Sequence, residues 1–115
     1  FLSLMYTKVT DLTPLVTVSK LERLNLKGSK TINISPLAAL KNLKSLSLYG
    51  TKVKDLSALS QLTHLEHLNL GYTKSNDGTA LQSLTKLRSL NLVHMPLRHY
   101  AFLEKLTELE RLDVS

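Results

Sequence analysis

Leucine recurs along this chain at an unbroken interval of 22 residues. The recurring positions are Leu21, Leu43, Leu65, Leu87 and Leu109. Each is followed by further apolar residues three and five positions later, as in residues 43–48, Leu-Lys-Ser-Leu-Ser-Leu. A fixed period of this length is typical of a protein that stacks one small unit repeatedly, and it argues against a globule around one central core.

One copy of the unit predicts a strand followed by a turn. In residues 43–49 apolar and polar residues alternate from Leu46 onward, which indicates a strand that buries Leu46 and Leu48 and exposes Ser45, Ser47 and Tyr49. Gly50 and Thr51 then turn the chain. One copy is too thin to enclose its own leucines, so we expect most of the burial to come from stacking.

The second half of each copy has room for only a turn or two of helix, of the 3₁₀ or short α type. In two copies this segment begins with a hydroxyl residue and proline, Thr13-Pro14 and Ser35-Pro36. That pair predicts that the hydroxyl is the N-cap and that proline is the first helical residue.

The whole pattern resembles a known repeat. Leu-x-x-Leu-x-Leu-x-x-(Asn/Thr)-x-(Ile/Val), followed by Asp-Leu-Ser/Thr-Pro-Leu, is similar to the 22-residue leucine-rich repeat of bacterial internalins and phosphatase-regulatory subunits. The resemblance extends over essentially all 115 residues. It implies an α/β fold, a right-handed solenoid of about five repeats with a curved parallel sheet on the concave face and short helical turns on the convex face. It also implies a protein–protein interaction module that presents the concave face to its partner.

Two departures from the pattern predict local irregularity. The turn position that carries Asn in the resembled family is occupied by Thr7, Ser29, Thr51, Thr73 and Met95. Methionine cannot bond a turn backbone group, so we expect the coil containing Met95 to be irregular. Polar turn residues also replace apolar ones in residues 75–78, and there we expect a bulge on the loop edge.

The candidate binding surface consists of the outward strand positions, which should line up in columns across the sheet. Tyr and Arg are favoured at interface hot spots because they combine contact area with directional polar groups. A solvated sheet face is the alternative for any single residue. The candidates are Arg23, Asn25, Lys27, Ser47, Tyr49, His67, Asn69, Tyr72, Asn91, His94 and Arg111.

A second candidate is a ladder of lysines one residue after the turn, Lys8, Lys30, Lys52 and Lys74. The formal net charge is +6, and neighbours in such a row lie about 5 Å apart. The ladder suggests a binder of nucleic acid or of an anionic surface, and the alternative is duplication of a solvated loop residue. A structural or regulatory spacer in a larger protein is a third hypothesis.

The sequence predicts no enzyme, no cofactor and no metal site. Asp11, Asn33, Asp55 and Asp77 form a row just before the helical segment, but single carboxylates one coil apart lack the six to eight oxygens that calcium needs. We therefore expect them to bond turn amides or to cap the helical segment. The histidines lack HExxH spacing, cysteine is absent, and no glycine-rich phosphate loop occurs.

Compartment and chain ends give further expectations. The absence of cysteine and of a visible signal peptide favours the cytoplasm. No apolar run is long enough for membrane insertion. Residues 1–115 form one domain that begins and ends in mid-strand without polar caps, so we expect a fragment of a longer chain. Exposed repeat ends would allow self-association.

Overall fold

The computed structural model describes residues 1–115 and contains six strands and five short helices. The strands are β1 Leu2–Ser3, β2 Arg23–Asn25, β3 Ser45–Ser47, β4 His67–Asn69, β5 Ser89–Asn91 and β6 Arg111–Asp113. The helices are all of the 3₁₀ type: η1 Thr13–Thr17, η2 Ser35–Ala39, η3 Ser57–Gln61, η4 Thr79–Ser83 and η5 Ala101–Lys105. None of them has the length and apolar character needed to cross a bilayer.

The six strands form one parallel sheet in chain order, with each strand paired to the next. Every pairing joins residues 22 positions apart, such as Leu24 with Leu46. The hydrogen bonds continue past the strand ends, where the Gly50 amide donates to the Gly71 carbonyl at 2.9 Å. Coils therefore stack in register, and the leucine-rich solenoid predicted from the sequence is confirmed.

The core is one continuous column of leucine running through the stack. Leu46 in β3 and Leu48 just after it are no more than 1% exposed, and Leu59, Leu62 and Leu65 are fully buried behind them. Ser45, Ser47 and Tyr49 lie on the outer face and are half-buried. The alternation predicted for the strand is therefore confirmed.

The predicted hydroxyl N-cap is wrong. The residue before each of the first three helices is Leu12, Ile34 or Leu56, and no side chain caps the helix. Ser57 is already helical, and its amide donates to Asp55 Oδ1 at 2.9 Å. The cap position must bury an apolar side chain, so the polar acceptor moves one residue earlier.

The expected irregularity at Met95 is also wrong for the backbone. In the regular coils the threonine Oγ1 donates to the carbonyl three residues earlier, as Thr51 does to Leu48 at 2.7 Å. Met95 lacks that bond, but its amide still donates to the Leu92 carbonyl at 3.2 Å, and its side chain is buried. Burial of the Met95 side chain therefore replaces the threonine hydroxyl hydrogen bond, and the backbone of the turn is unchanged.

The bulge expected at residues 75–78 does not form. Ser75 is buried, and its Oγ donates to the Asp77 carbonyl at 3.2 Å. Gly78 precedes η4 with the same backbone geometry as Leu56 has before η3. The ring of Phe102, from the next coil, takes the missing volume, since a Cβ on Gly78 would lie 2.5 Å from Phe102 Cε1. A small residue in one coil is matched by a large one in the next.

Candidate protein-binding surface

Two columns of outward strand residues lie side by side across the concave face. The strand register joins Arg23, Ser45, His67, Ser89 and Arg111 into what we call column A. It joins Asn25, Ser47, Asn69, Asn91 and Asp113 into column B. Seven of the eleven candidate residues therefore share one surface: Arg23, Asn25, Ser47, His67, Asn69, Asn91 and Arg111.

Column B has its acceptors occupied and its donors free. The side-chain oxygen of Asn25 accepts the Lys27 amide at 3.0 Å, and that of Asn69 accepts the Gly71 amide at 3.1 Å. The side-chain oxygen of Asn91 likewise accepts the amide of the residue two positions later. The Nδ2 groups of these asparagines make no hydrogen bond within the protein. The local turn chemistry thus leaves a face that offers N–H groups outward.

Small residues make this face hollow. Ser45, Ser47 and Ser89 alternate with larger side chains, and a depression of about 260 Å³ runs over β3 to β6. Ser45, Ser89 and Asp113 also line it. The 22-residue offset places these three residues in the same outward columns, although the sequence analysis did not select them as partner-binding residues.

The remaining four candidates, Lys27, Tyr49, Tyr72 and His94, form a second feature where the strands end. Lys27 Nζ lies 5.0 Å from the ring centroid of Tyr49 and 5.8 Å from that of Tyr6. The Tyr49 and Tyr72 centroids are 5.2 Å apart, and Tyr72 stacks on His94 at 4.5 Å. We call these five side chains the aromatic row. It adds Tyr6 to the predicted residues, and contact along the row fixes their orientations.

The backbone beneath the aromatic row is strained. Tyr6, Tyr72 and His94 have φ of 55°, 59° and 56°, at the position that Gly28 and Gly50 occupy in other coils. L-residues adopt this left-handed conformation uncommonly, because Cβ crowds the backbone. Ring-bearing residues in this left-handed conformation are typical of functional surfaces.

Glycine also makes room for the rings of this row. A Cβ on Gly28 would lie 2.5 Å from Tyr6 Cδ1, and one on Gly71 would lie 3.0 Å from Tyr49 Cδ2. The rings of Tyr6 and Tyr49 therefore each lie against a glycine in the following coil.

Two rows of charge flank the sheet and differ in sign pattern. The four ladder lysines are all exposed, and none forms an ion pair. At the opposite end of the strands an alternating row runs Glu22, Lys44, Glu66, Arg88, Glu110. Lys44 Nζ lies 3.4 Å from Glu22 Oε1, and Arg88 Nε lies 4.0 Å from Glu110 Oε2. Sequence reasoning missed this alternating row, although alternation over two repeats was its signal.

The aspartate row bonds turn amides, as predicted. Asp11, Asp55 and Asp77 each accept the amide two residues ahead at 2.9 Å, and Asn33 does the same. For Asp77, the Thr79 hydroxyl and then the Thr79 amide lower the pKa of the carboxyl below its usual value. For Asp55, the Ser57 amide is the larger cause of a lowered pKa. No three His, Asp or Glu side chains are grouped so as to hold a metal ion.

Residues 41–83 match the family model of leucine-rich repeats, in two copies. The protein is a leucine-rich repeat protein. Proteins of this kind are generally non-enzymatic modules that bind other proteins. No curated protein shows significant sequence similarity to the chain.

Solved structures of leucine-rich repeat proteins superimpose on almost the whole chain. An internalin, inlF, of Listeria monocytogenes is 35% identical over 91% of the chain, with a TM-score of 0.89. Internalin C2 of the same organism is 25% identical over 93%, with a TM-score of 0.83. A leucine-rich repeat protein of Leptospira interrogans is 29% identical over 96%, with a TM-score of 0.80. The leucine-rich repeat chain covers 31%, 50% and 30% of these structures respectively, so it spans half of their length or less.

Proposed function

We propose that this leucine-rich repeat protein binds a protein partner on its concave face. The observation that carries the proposal is the combination of columns A and B with the aromatic row. Together they provide unengaged donors next to large rings whose orientations are held by one another. Tyr and Arg are among the residue types that dominate interface energies.

The rigidity of the surface supports the same proposal. Backbone hydrogen bonds join every pair of neighbouring coils, including beyond the strands where the aromatic row begins. A preformed surface loses little conformational freedom when it binds, so more of the contact energy is available for affinity.

Selection of peptide ligands from a random library tests the proposal. The variant Y49A/Y72G should lose at least about tenfold in affinity for the selected peptides, since hot-spot aromatics carry losses of that size. Glycine is chosen at Tyr72 because Gly28 and Gly50 already occupy that position with the same backbone conformation.

The matched control removes two ladder lysines, K52A/K74A, which lie on the loop edge rather than the concave face. It should bind like the wild type. If the control loses binding and Y49A/Y72G retains it, the concave face is not the binding surface. Circular dichroism and urea unfolding confirm that each variant is folded.

A second candidate function, binding of an anionic macromolecule through the lysine ladder, is favoured by the absence of any ion pair along the ladder. Affinity for single-stranded nucleic acid or anionic vesicles would then fall steeply with salt. The variant K30Q/K52Q/K74Q would abolish that affinity. A shallow salt dependence that is the same in both proteins would exclude this second function.

A further inference from the structure

Cationic and imidazole side chains recur in column A at every second coil. Arg23, His67 and Arg111 occupy β2, β4 and β6, and Ser45 and Ser89 lie between them. None of the three makes a hydrogen bond or ion pair through its side chain; Arg23 only lies over the Phe1 ring, at 5.1 Å. The column therefore presents three separated donor groups with gaps between them.

Neighbouring acids form no ion pair with these donors. Glu22 and Glu110 of the alternating row pair with Lys44 and Arg88, and Glu66, which lines the same depression as Arg23 and His67, lies within 4 Å of neither. Within columns A and B the one acid is Asp113, whose Oδ1 already accepts the Ser115 hydroxyl at 3.2 Å. The asparagine oxygens each already accept a backbone amide, so cationic and N–H donor groups predominate over acidic ones in the two columns.

We infer that the concave face binds an acidic, proline-rich segment of its partner in the polyproline II conformation, laid across the strands with one carboxylate at every third residue. This inference rests on the proposed function and names the chemistry of the partner. Two coils of a parallel sheet span about 9.6 Å. Three residues of polyproline II span about 9.3 Å and return to the same side of that helix. Carboxylates at positions i, i+3 and i+6 therefore match Arg23, His67 and Arg111.

The intervening residues of such a segment also find suitable surfaces. Ser45 and Ser89 leave the depression of about 260 Å³ into which a pyrrolidine ring fits. The aromatic row borders column B, and proline-rich segments dock against aromatic side chains because their backbone is already ordered. The free Nδ2 groups of Asn25, Asn69 and Asn91 can donate to carbonyls that polyproline II leaves unpaired.

Fluorescence anisotropy with labelled (Glu-Pro-Pro)₃ tests the inference at physiological salt. Two control peptides are used: (Gln-Pro-Pro)₃, and a block peptide in which three glutamates precede six prolines. We expect (Glu-Pro-Pro)₃ to bind, the block peptide to bind about tenfold more weakly, and the glutamine peptide to bind weakest, since charge-assisted hydrogen bonds need the correct spacing. Equal affinity for the first two peptides would mean unspecific attraction and would overturn the inference.

Protein variants locate the site. R23Q/R111Q should reduce affinity for (Glu-Pro-Pro)₃ about tenfold or more. The variant K52Q/K74Q removes the same charge from the loop edge and should change it less than twofold. Equal losses in the two variants would contradict the inference, because net charge rather than column A would then explain binding.

The library selection separates failure of this inference from failure of the proposed function. Peptides that bind the wild type and not Y49A/Y72G, but carry no acid at every third position, would overturn the partner chemistry and leave the concave interface standing. Peptides insensitive to Y49A/Y72G and to R23Q/R111Q would overturn both.

Discussion

The coil that starts at Leu43 and the coil that starts at Leu87 reach the same backbone with different side chains. The first has Thr51, Leu56 and Ala58; the second has Met95, Tyr100 and Phe102 at the equivalent positions. Both strands pair in the same register, and both helices have five residues. The difference shows that register is enforced by the backbone ladder and the strand leucines, while the loop side tolerates exchange of volume between neighbouring coils.

The largest effect should come from removing the Phe102 ring, which fills the space beside Gly78. F102A is expected to cost about 3–5 kcal/mol in the free energy of unfolding, since it leaves a cavity over Gly78. G78L alone should also destabilise, because the new side chain would meet the Phe102 ring. The double variant puts leucine and alanine at the positions equivalent to Leu56 and Ala80 in the preceding coils and should recover most of the loss. Urea unfolding measures the coupling, and additive losses would contradict the volume exchange.

A smaller effect is expected at the turn. T51V removes the hydroxyl bond to the buried Leu48 carbonyl and should cost about 1 kcal/mol of unfolding free energy. T73V should behave alike because Thr73 makes the same bond to Leu70. T85V, at an exposed site without such a bond, is the control. A cost for T85V equal to that for T51V would show that the loss is not due to the turn bond.

Acid should affect the two coils differently, because the first has Asp55 where the second has His99. Hydrogen bonds from Ser57 lower the pKa of Asp55 in the folded chain relative to the unfolded one. Its contribution is therefore complete at neutral pH and is lost as the pH falls below about 4. D11N/D55N/D77N keeps the bond type that Asn33 already makes, so its stability should fall less between pH 5 and pH 3. Equal acid sensitivity in thermal unfolding would contradict this.

The smallest effect concerns the lysine ladder, where the first coil has Lys52 and the second has Pro96. K52E places an acid between Lys30 and Lys74 and gives the ladder the sign pattern of the alternating row. We expect a small rise in the unfolding midpoint at low salt that disappears at high salt, since exposed charges are screened. The control K86E changes the same charge away from the ladder. An equal rise in the control would point to net charge alone.

Most of the fold could be predicted from the sequence because it follows from period alone. Leu46, Leu48 and their equivalents recur at fixed offsets, and periodicity places them in the core without knowledge of partners. The errors arose where one residue's role depends on another coil. Gly78 by itself indicates a bulge but forms none, because the Phe102 ring fills the space beside it. The Thr13-Pro14 pair by itself indicates a cap, but the buried Leu12 occupies the cap position.

The position of the candidate surface could be predicted from the sequence, but the hydrogen bonds and contacts of its side chains could not. A 22-residue offset places Asn25 and Asn69 on the concave face, yet their oxygens are occupied by local amides, which only the folded turn shows. The contacts of Lys27 with Tyr6 and Tyr49 likewise depend on side-chain directions that a strand pattern does not contain.

The alternation of Glu22, Lys44, Glu66, Arg88 and Glu110 means that odd and even coils are not interchangeable. Deleting one inner coil of this stretch, or inserting one coil with a charged residue at this position, would set two like charges side by side. A change of two coils would preserve every opposite-sign neighbour. The charge pattern therefore repeats every two coils, or 44 residues. Recombination that lengthens or shortens the repeat array should favour changes by whole pairs of coils.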